Sequence, residues 1–150
     1  GAARHVALNT AAERLLRSAP ACSDKQFWAV VADLNSLRFP LRVWRAVYIP
    51  PDVDPHTVTD PGAHWTTNRA KTTGYGANHM FSGVVESPDH IDWHRTLEQR
   101  LLYCADLGSH WDEEEVFIRG SGYIYDMGWD ESRPTGASHY VKHIAYRGAL

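Results

Sequence analysis

The sequence predicts an α+β domain in which helices come first and a mostly antiparallel β-region follows. Before Pro40, apolar residues recur every three or four positions, which is typical of helices that bury one face. After Pro40, runs of β-branched and aromatic residues alternate with glycine and proline, which is typical of short strands joined by turns. A chain of 150 residues is long enough for one domain with one core, so we expect a single domain over 1–150.

The helical part carries two starting signals. A serine or threonine followed three residues later by glutamate or glutamine is typical of a helix N-terminus, and this spacing occurs at Thr10 and at Ser23. We therefore predict a short helix over 9–18 and a longer helix that begins at Ser23 and ends before Pro40. The longer helix has one apolar face, made of Phe27, Val30, Val31, Leu34 and Leu37.

The β-region contains short segments that are separated by turns. We predict strands at 41–49, 64–67, 80–86, 115–118, 123–125 and 140–144, with a loop over 55–62, a helical turn at 68–74 and a helix at 93–105. The helix at 93–105 carries Leu97, Leu101 and Cys104 on one side. Gly120-Ser121-Gly122 lies between the fourth and fifth strands, so it predicts a hairpin between them.

The composition excludes several classes of protein. Hydrophobic residues make up 43% of the chain, charged residues 22%, and six tryptophans are present, which is typical of a packed globular protein. The formal net charge of −3 gives no overall positive field, which argues against a nucleic acid as partner. Cys22 and Cys104 lie far apart in sequence, so we expect two buried thiols.

The sequence also gives an expectation about location. No run approaches the ~18 apolar residues of a membrane span, and the first residues lack the apolar stretch of a secretory signal. We therefore expect a protein with no membrane partner, which is cytoplasmic or is delivered into a target cell.

The main candidate for chemistry is a run of four acidic residues, 112–115, directly before the apolar segment 116–118. Side chains alternate along a strand, so Glu113 and Glu115 are predicted to share one face, with Cβ atoms about 6–7 Å apart. Such a pair can stabilise a cationic sugar and take a proton from an acceptor. The alternative is an acidic strand end in contact with water.

Two further segments carry candidate residues. Arg45 lies inside an apolar strand, so it either forms an ion pair at the rim or binds an anion, for which its planar fork suits phosphate. Thr66 and Thr67 follow Trp65 on a short strand, where threonine is also favoured for packing alone.

In this order and spacing, the three segments resemble the ADP-ribosyltransferase superfamily, in the group that combines an arginine, a serine- or threonine-rich strand and an E-x-E motif. The resemblance covers roughly 40–125, and Glu113-Glu114-Glu115-Val116 is its most specific part. Trp44 and Ala46 stand where the family usually has tyrosine and glycine. The resemblance implies N-terminal helices packed on a split β-sheet, and NAD as a substrate that loses nicotinamide.

The resemblance also implies roles for the catalytic and phosphate-binding residues. Glu115 stabilises the positive charge that develops on the ribose, and Glu113 orients or deprotonates the acceptor. Arg45 binds the phosphates of NAD, and either Thr66 or Thr67 supports Glu115 by a hydrogen bond.

Further residues are predicted to contact NAD or the acceptor. Aromatic candidates for the nicotinamide wall are Trp65, Tyr75 and Phe81. The loop before the E-x-E motif implies that His110 and Trp111 contact the acceptor. An E-x-E motif resembles members that modify arginine, so the expected partner is an arginine on an acceptor protein, as for a toxin domain or a phage-encoded effector.

Three other functions fit the same sequence. Water in place of the acceptor makes the chain an NAD glycohydrolase. A protein that keeps the fold without the activity is a non-catalytic module that binds NAD or another protein. A metal site is a third reading, because His90 and His94 are four residues apart with two aspartates nearby, although the H-E-x-x-H pattern of zinc enzymes is missing and we predict no metal.

Overall fold

The computed structural model describes residues 2–18, 21–54, 63–72, 77–106, 112–119, 122–130 and 139–146, and of 2–5, 122–130 and 139–146 it describes the backbone. The described residues form three α-helices and six strands. In chain order they are α1 (Ala2–Leu16), α2 (Asp24–Asn35), β1 (Leu41–Val47), β2 (His64–Thr66), β3 (His79–Val85), α3 (Trp93–Leu101), β4 (Glu115–Phe117), β5 (Gly122–Asp130) and β6 (His139–Tyr146). Short 3₁₀ helices occur at Arg69–Thr72, Pro88–His90 and Cys104–Asp106.

The strands form one sheet in the order β4-β2-β1-β3-β6-β5. All neighbouring strands are antiparallel except β3 and β6, which are parallel. The predicted α+β class and the mostly antiparallel sheet are therefore confirmed. None of the described helices is both long and apolar enough to cross a membrane.

The sheet is continuous, whereas the resemblance implied a split sheet, but one junction within it is narrow. Strand β1 pairs with β3 over seven residue pairs, from Leu41↔Val85 to Val47↔His79. It pairs with β2 at the single position Trp44↔Thr66. Strands β2 and β4 therefore form a small two-stranded part that is joined to the larger sheet by one residue pair.

The helices confirm one capping prediction and correct the other. Ser23 caps α2, since its Oγ accepts a hydrogen bond from the Gln26 amide at 3.1 Å and its own amide donates to Gln26 Oε1 at 2.9 Å. Thr10 starts no helix, because α1 begins eight residues earlier at Ala2. The Thr10 hydroxyl instead donates to the Val6 carbonyl at 2.9 Å, one turn back along the same helix.

The core lies between the helices and the sheet. The predicted apolar face of α2 is buried at Phe27, Val30, Val31 and Leu34, and α3 buries Leu97 and Leu101. These side chains belong to one cluster with residues of the sheet, which include Val43, Trp65, Phe81 and Val116. Burial of these apolar side chains is the main force that holds the helices on the sheet.

The prediction of two free thiols is wrong. Cys22 and Cys104 form a disulfide, with Cα atoms 6.0 Å apart across 82 residues of sequence. The fold brings them together because Cys22 lies two residues before α2, while Cys104 begins the 3₁₀ helix that follows α3. Sequence separation gave no signal of this proximity.

The predicted hairpin between 115–118 and 123–125 is also wrong. Strand β4 pairs with β2 at one end of the sheet, while β5 pairs with β6 at the other end. Val116 of β4 belongs to the core cluster, and the Phe117 amide donates a hydrogen bond to Thr96 Oγ1 of α3 at 2.9 Å. Residues 120 and 121, the predicted turn, and 55–62, the predicted loop, lie outside the described residues.

Candidate functional site

A cleft of about 170 Å³ opens beside the narrow junction between β1 and β2. It brings together five of the residues that the sequence singled out: Arg45, Trp65, Thr66, Glu113 and Glu115. The other lining residues are Trp44, Ala46, His64, Lys71 and Thr72. A continuous ladder of backbone hydrogen bonds joins β1 to β3, whereas β1 pairs with β2 at one position. The cleft lies on the β2 side of β1.

Glu115 is the first residue of β4 and stands opposite Thr66 of β2. Its side chain is 16% exposed, and it lines the cleft together with Glu113. Burial, followed by the hydrogen bond and the charge of Glu113, raises the Glu115 pKa from its ordinary value of 4.5 to about 7, against the opposing effect of Arg45 and Arg100. Glu115 is therefore partly protonated near neutral pH.

The two glutamates meet in a way that differs from simple strand alternation. The strand begins only at Glu115, and Glu114 before it has a left-handed backbone with φ of 50°. In an ordinary strand the two carboxyls would point the same way without touching. The bend at Glu114 accompanies the placement of both glutamates on one cleft.

The two threonine hydroxyls support the E-x-E segment through its main chain. Thr66 Oγ1 donates to the Glu113 carbonyl at 2.7 Å, and Thr67 Oγ1 donates to the Glu114 carbonyl at 3.3 Å. We predicted a hydrogen bond from one of these hydroxyls to Glu115 itself. Each hydroxyl has one proton to donate, and these protons are used on the two preceding carbonyls, so both threonines fix the backbone that leads to Glu115.

Arg45 joins the two parts of the sheet across the junction. Its Nη1 donates to the His64 carbonyl of β2 at 3.0 Å. Its Nε is buried and has no hydrogen-bond partner within the described part of the chain. Arg45 thus lines the cleft with a donor that remains to be satisfied, and a bound anionic oxygen is a suitable acceptor.

His64 is a residue of the cleft that the sequence reasoning missed. Its Nδ1 lies 3.7 Å from Glu115 Oε2, and its side chain is 45% exposed. Burial, followed by the positive charges of Arg45 and Arg95, lowers the His64 pKa against the opposing charge of Glu113, which favours the neutral imidazole. The available signal was position, because His64 and Thr66 are two residues apart on one strand and therefore share a face.

Both described aromatic candidates lie in the core, and one of them also borders the cleft. Trp65 is 1% exposed and belongs to the core cluster, although it is also a lining residue of the cleft. Phe81, which we predicted as a nicotinamide wall, is 3% exposed and packs in the core, with its ring 6.4 Å from that of Trp65. It does not line the cleft. Three predicted residues, Tyr75, His110 and Trp111, lie outside the described residues.

The alternative metal site gains no support. Among the described residues, no group of three or more histidine, cysteine, aspartate or glutamate side chains is arranged to hold a metal ion. His90 is 3% exposed, whereas the side chain of His94 is 46% exposed and lies 3.9 Å from Glu98 on the surface of α3. The two histidines therefore have different surroundings, one in the interior and one in contact with water.

Comparison with known proteins adds no relative: no protein-family model, no curated protein and no solved structure matches the chain. The chemistry of the cleft is therefore the basis on which a function is inferred. A guanidinium, an imidazole and a pair of carboxyls line it, together with two tryptophans. This set can bind an anionic ligand through Arg45 and stabilise positive charge through Glu115.

Proposed function

We propose that the chain cleaves NAD and transfers its ADP-ribose to an acceptor protein, with arginine as the modified residue. The observation that carries this proposal is the pair of carboxyl groups, Glu113 and Glu115, in a cleft that also contains Arg45. We likewise propose that the domain is ADP-ribosyltransferase-like, with the narrow junction between β1 and β2 as the point where the sheet divides.

Glu115 is proposed to act on the bond between nicotinamide and ribose. As this bond breaks, nicotinamide leaves as a neutral base with the bonding electron pair, and positive charge develops on the ribose. An ionised Glu115 stabilises that charge more than it stabilises the neutral sugar, which is the requirement for lowering the barrier. Since the Glu115 pKa is about 7, its ionised fraction increases as the pH rises through neutrality.

Glu113 and Arg45 have complementary roles in this scheme. Arg45 binds the phosphates of NAD, for which its unsatisfied Nε is available. Glu113 binds the guanidinium of the acceptor and takes the proton that the attacking nitrogen loses. Trp65 is the remaining described candidate for contact with nicotinamide, because it lines the same cleft.

The proposal is tested by incubating the wild-type chain and Glu115→Gln with NAD labelled on the adenosine and with a cell lysate. Nicotinamide release and label on protein are measured separately. We expect Glu115→Gln to reduce both by about 10²–10³-fold, which is typical for loss of one group that stabilises transition-state charge. NAD affinity, measured by calorimetry, should change little because Glu115 acts mainly in the transition state.

Glu98→Gln is the matched control, because Glu98 is a glutamate on α3 with a side chain 61% exposed. It should behave as wild type. Nicotinamide release without labelled protein would identify water as the acceptor and make the chain a glycohydrolase. Absence of release in the wild type, with arginine-rich acceptors supplied, would contradict the proposal and favour a binding module.

A further inference from the structure

Glu114, the central residue of the E-x-E segment, has a backbone conformation that its side chain disfavours. Its φ is 50°, and in this left-handed region the Cβ of a non-glycine residue crowds the following carbonyl. Such a conformation persists where the surroundings hold it. The contacts that hold Glu114 therefore bear on how the catalytic pair is formed.

We propose that Asp112 and Asn68 are positioning residues, which hold Glu114 in its left-handed conformation and thereby keep the carboxyl of Glu113 against Glu115. The catalytic consequence rests on the proposed function. The arrangement of the two glutamates is a separate property of the protein and is tested without NAD.

The first contact comes from the chain before the motif. Asp112 Oδ1 accepts a hydrogen bond from the Glu114 amide at 3.0 Å. Asp112 is 3% exposed, and the same Oδ1 lies 3.5 Å from Nε of Arg100 on α3. Arg100 is also paired with Asp33 of α2. The oxygen that orients Glu114 is thus fixed by an arginine that two helices hold in place.

The second contact comes from the residues that follow β2. Asn68 Nδ2 donates to Glu114 Oε2 at 2.7 Å, and the Thr67 amide donates to the Glu114 carbonyl at 3.0 Å. Asn68 is held in turn, because its Oδ1 accepts from the Ala70 amide at 3.1 Å. The amide, carbonyl and carboxylate of Glu114 are therefore all hydrogen-bonded, the first to Asp112 and the other two to the chain after β2.

This fixed bend determines the distance between the two glutamates. An extended residue at 114 would place their Cβ atoms about 6–7 Å apart with no need for the carboxyls to meet. With the bend, Glu113 and Glu115 line the same cleft. In the proposed reaction this arrangement keeps the acceptor's base beside the group that stabilises the ribose.

The first test compares Glu114→Gly with Glu114→Val. Both variants lose the same carboxylate, but glycine adopts the left-handed conformation freely, whereas a β-branched side chain is strongly disfavoured there. Titration of Glu115 is followed by ¹³C NMR of its side-chain carboxyl. We expect Glu115 to titrate close to wild type in Glu114→Gly and about one unit lower in Glu114→Val, because Glu113 moves away. Equal titration in the two variants would overturn the proposal.

The second test compares Asp112→Asn with Asp112→Ala. Both remove the negative charge, but asparagine keeps an oxygen that can accept from the Glu114 amide. We expect Asp112→Asn to retain most of the elevated Glu115 pKa and Asp112→Ala to lower it by about one unit. If Glu114→Val does not fold, this comparison still tests whether Asp112 positions Glu114. If Asp112→Ala leaves the titration of Glu115 unchanged, Asp112 is not a positioning residue.

A third variant separates positioning from general stability. Asp33→Asn breaks the same Arg100 network from α2 without touching Glu114. It should lower the thermal midpoint while the titration of Glu115 stays close to wild type. Where NAD cleavage is measurable, Asp112→Ala should lower kcat about tenfold with little change in KM, and Asp112→Asn should recover most of that loss. A chain inactive on NAD that still gives the expected titrations would contradict the proposed function and leave the positioning inference supported.

Discussion

The two sides of strand β1 are held in different ways. On the side of β3, seven consecutive residue pairs form a continuous backbone ladder. On the side of β2, one residue pair forms, and the side chain of Arg45 reaches across to the His64 carbonyl. Beyond β2, hydroxyl and amide side chains hold the E-x-E segment in place.

This difference explains where the cleft lies. A ladder satisfies every backbone group with another backbone group and leaves no room between the strands. Where the ladder ends, side chains must form hydrogen bonds with the remaining backbone groups. One of these side chains, Arg45, is charged. The candidate site therefore forms on the side of β1 that has a single residue pair with its neighbouring strand. The other side of β1, with seven pairs, has a structural role.

The largest expected effect is on the β3 side. Phe81 lies in the core and 3% of it is exposed, so Phe81→Ala should lower the free energy of unfolding by about 3–5 kcal/mol. Chemical denaturation followed by circular dichroism measures this loss. The reason is the cavity that remains when a large buried ring is removed.

Phe81→Leu tests whether Phe81 has any role in the cleft. This variant retains much of the apolar volume, so it should fold and bind NAD with wild-type affinity in calorimetry. A marked loss of NAD affinity in Phe81→Leu would show that the division between a structural side and a ligand side of β1 is wrong.

The next effect concerns the helical layer, which supports both sides of β1. The disulfide between Cys22 and Cys104 closes a loop across 82 residues. Replacing both cysteines by serine should lower the free energy of unfolding by about 2–4 kcal/mol, since the unfolded chain regains freedom. The same denaturation experiment, with and without reductant on the wild type, measures it. A wild-type midpoint that does not respond to reductant would contradict this expectation.

The sequence predicted the elements that depend on local patterns. The Ser23 cap and the apolar faces of α2 and α3 follow from spacing within a few residues, and the structure has them. Glu113, Glu115 and Arg45 line one cleft. The sequence drew attention to them because acids before an apolar strand and an arginine inside one are unusual.

Local sequence patterns did not predict which strands and which cysteines pair when they lie far apart in the chain. Strand β4 pairs with β2 and not with the strand that follows it in the chain. Cys22 forms a disulfide with Cys104 although 82 residues separate them in sequence. His64 was missed for the same reason, since its closeness to Glu115 depends on the register between β2 and β4. The left-handed Glu114 has no sequence signal either, because glycine and asparagine are the residues that usually mark that conformation.

A smaller effect distinguishes two arginines on the same strand. Arg45→Met should weaken NAD binding about 10–100-fold, because hydrogen bonds to charged groups contribute about 1.5–3 kcal/mol. Arg42→Met is the matched control, since Arg42 donates to Ser82 of β3 at 3.4 Å and does not line the cleft. Calorimetric titration with NAD compares the two. Equal losses of affinity would mean that the two sides of β1 do not differ in ligand binding.

The smallest effect is the dependence of stability on pH that Glu115 confers. Burial and the Glu113 carboxyl raise its pKa above the unfolded value of 4.5, to about 7, so the folded chain binds this proton more tightly than the unfolded chain does. That contribution to stability is complete below pH 4.5 and is lost as the pH rises through 7. Glu115→Gln carries no charge there, so it should unfold at higher denaturant than wild type at pH 8, by about 1–2 kcal/mol after allowance for solvent screening, with the gain reduced at pH 5. The corresponding variant of an exposed glutamate, Glu98→Gln, should show no such gain at either pH. If Glu115→Gln is no more stable than wild type at pH 8, the region beside the β1–β2 junction holds the Glu115 charge without loss of folding stability. The two sides of β1 would then differ in strand pairing and not in electrostatic free energy.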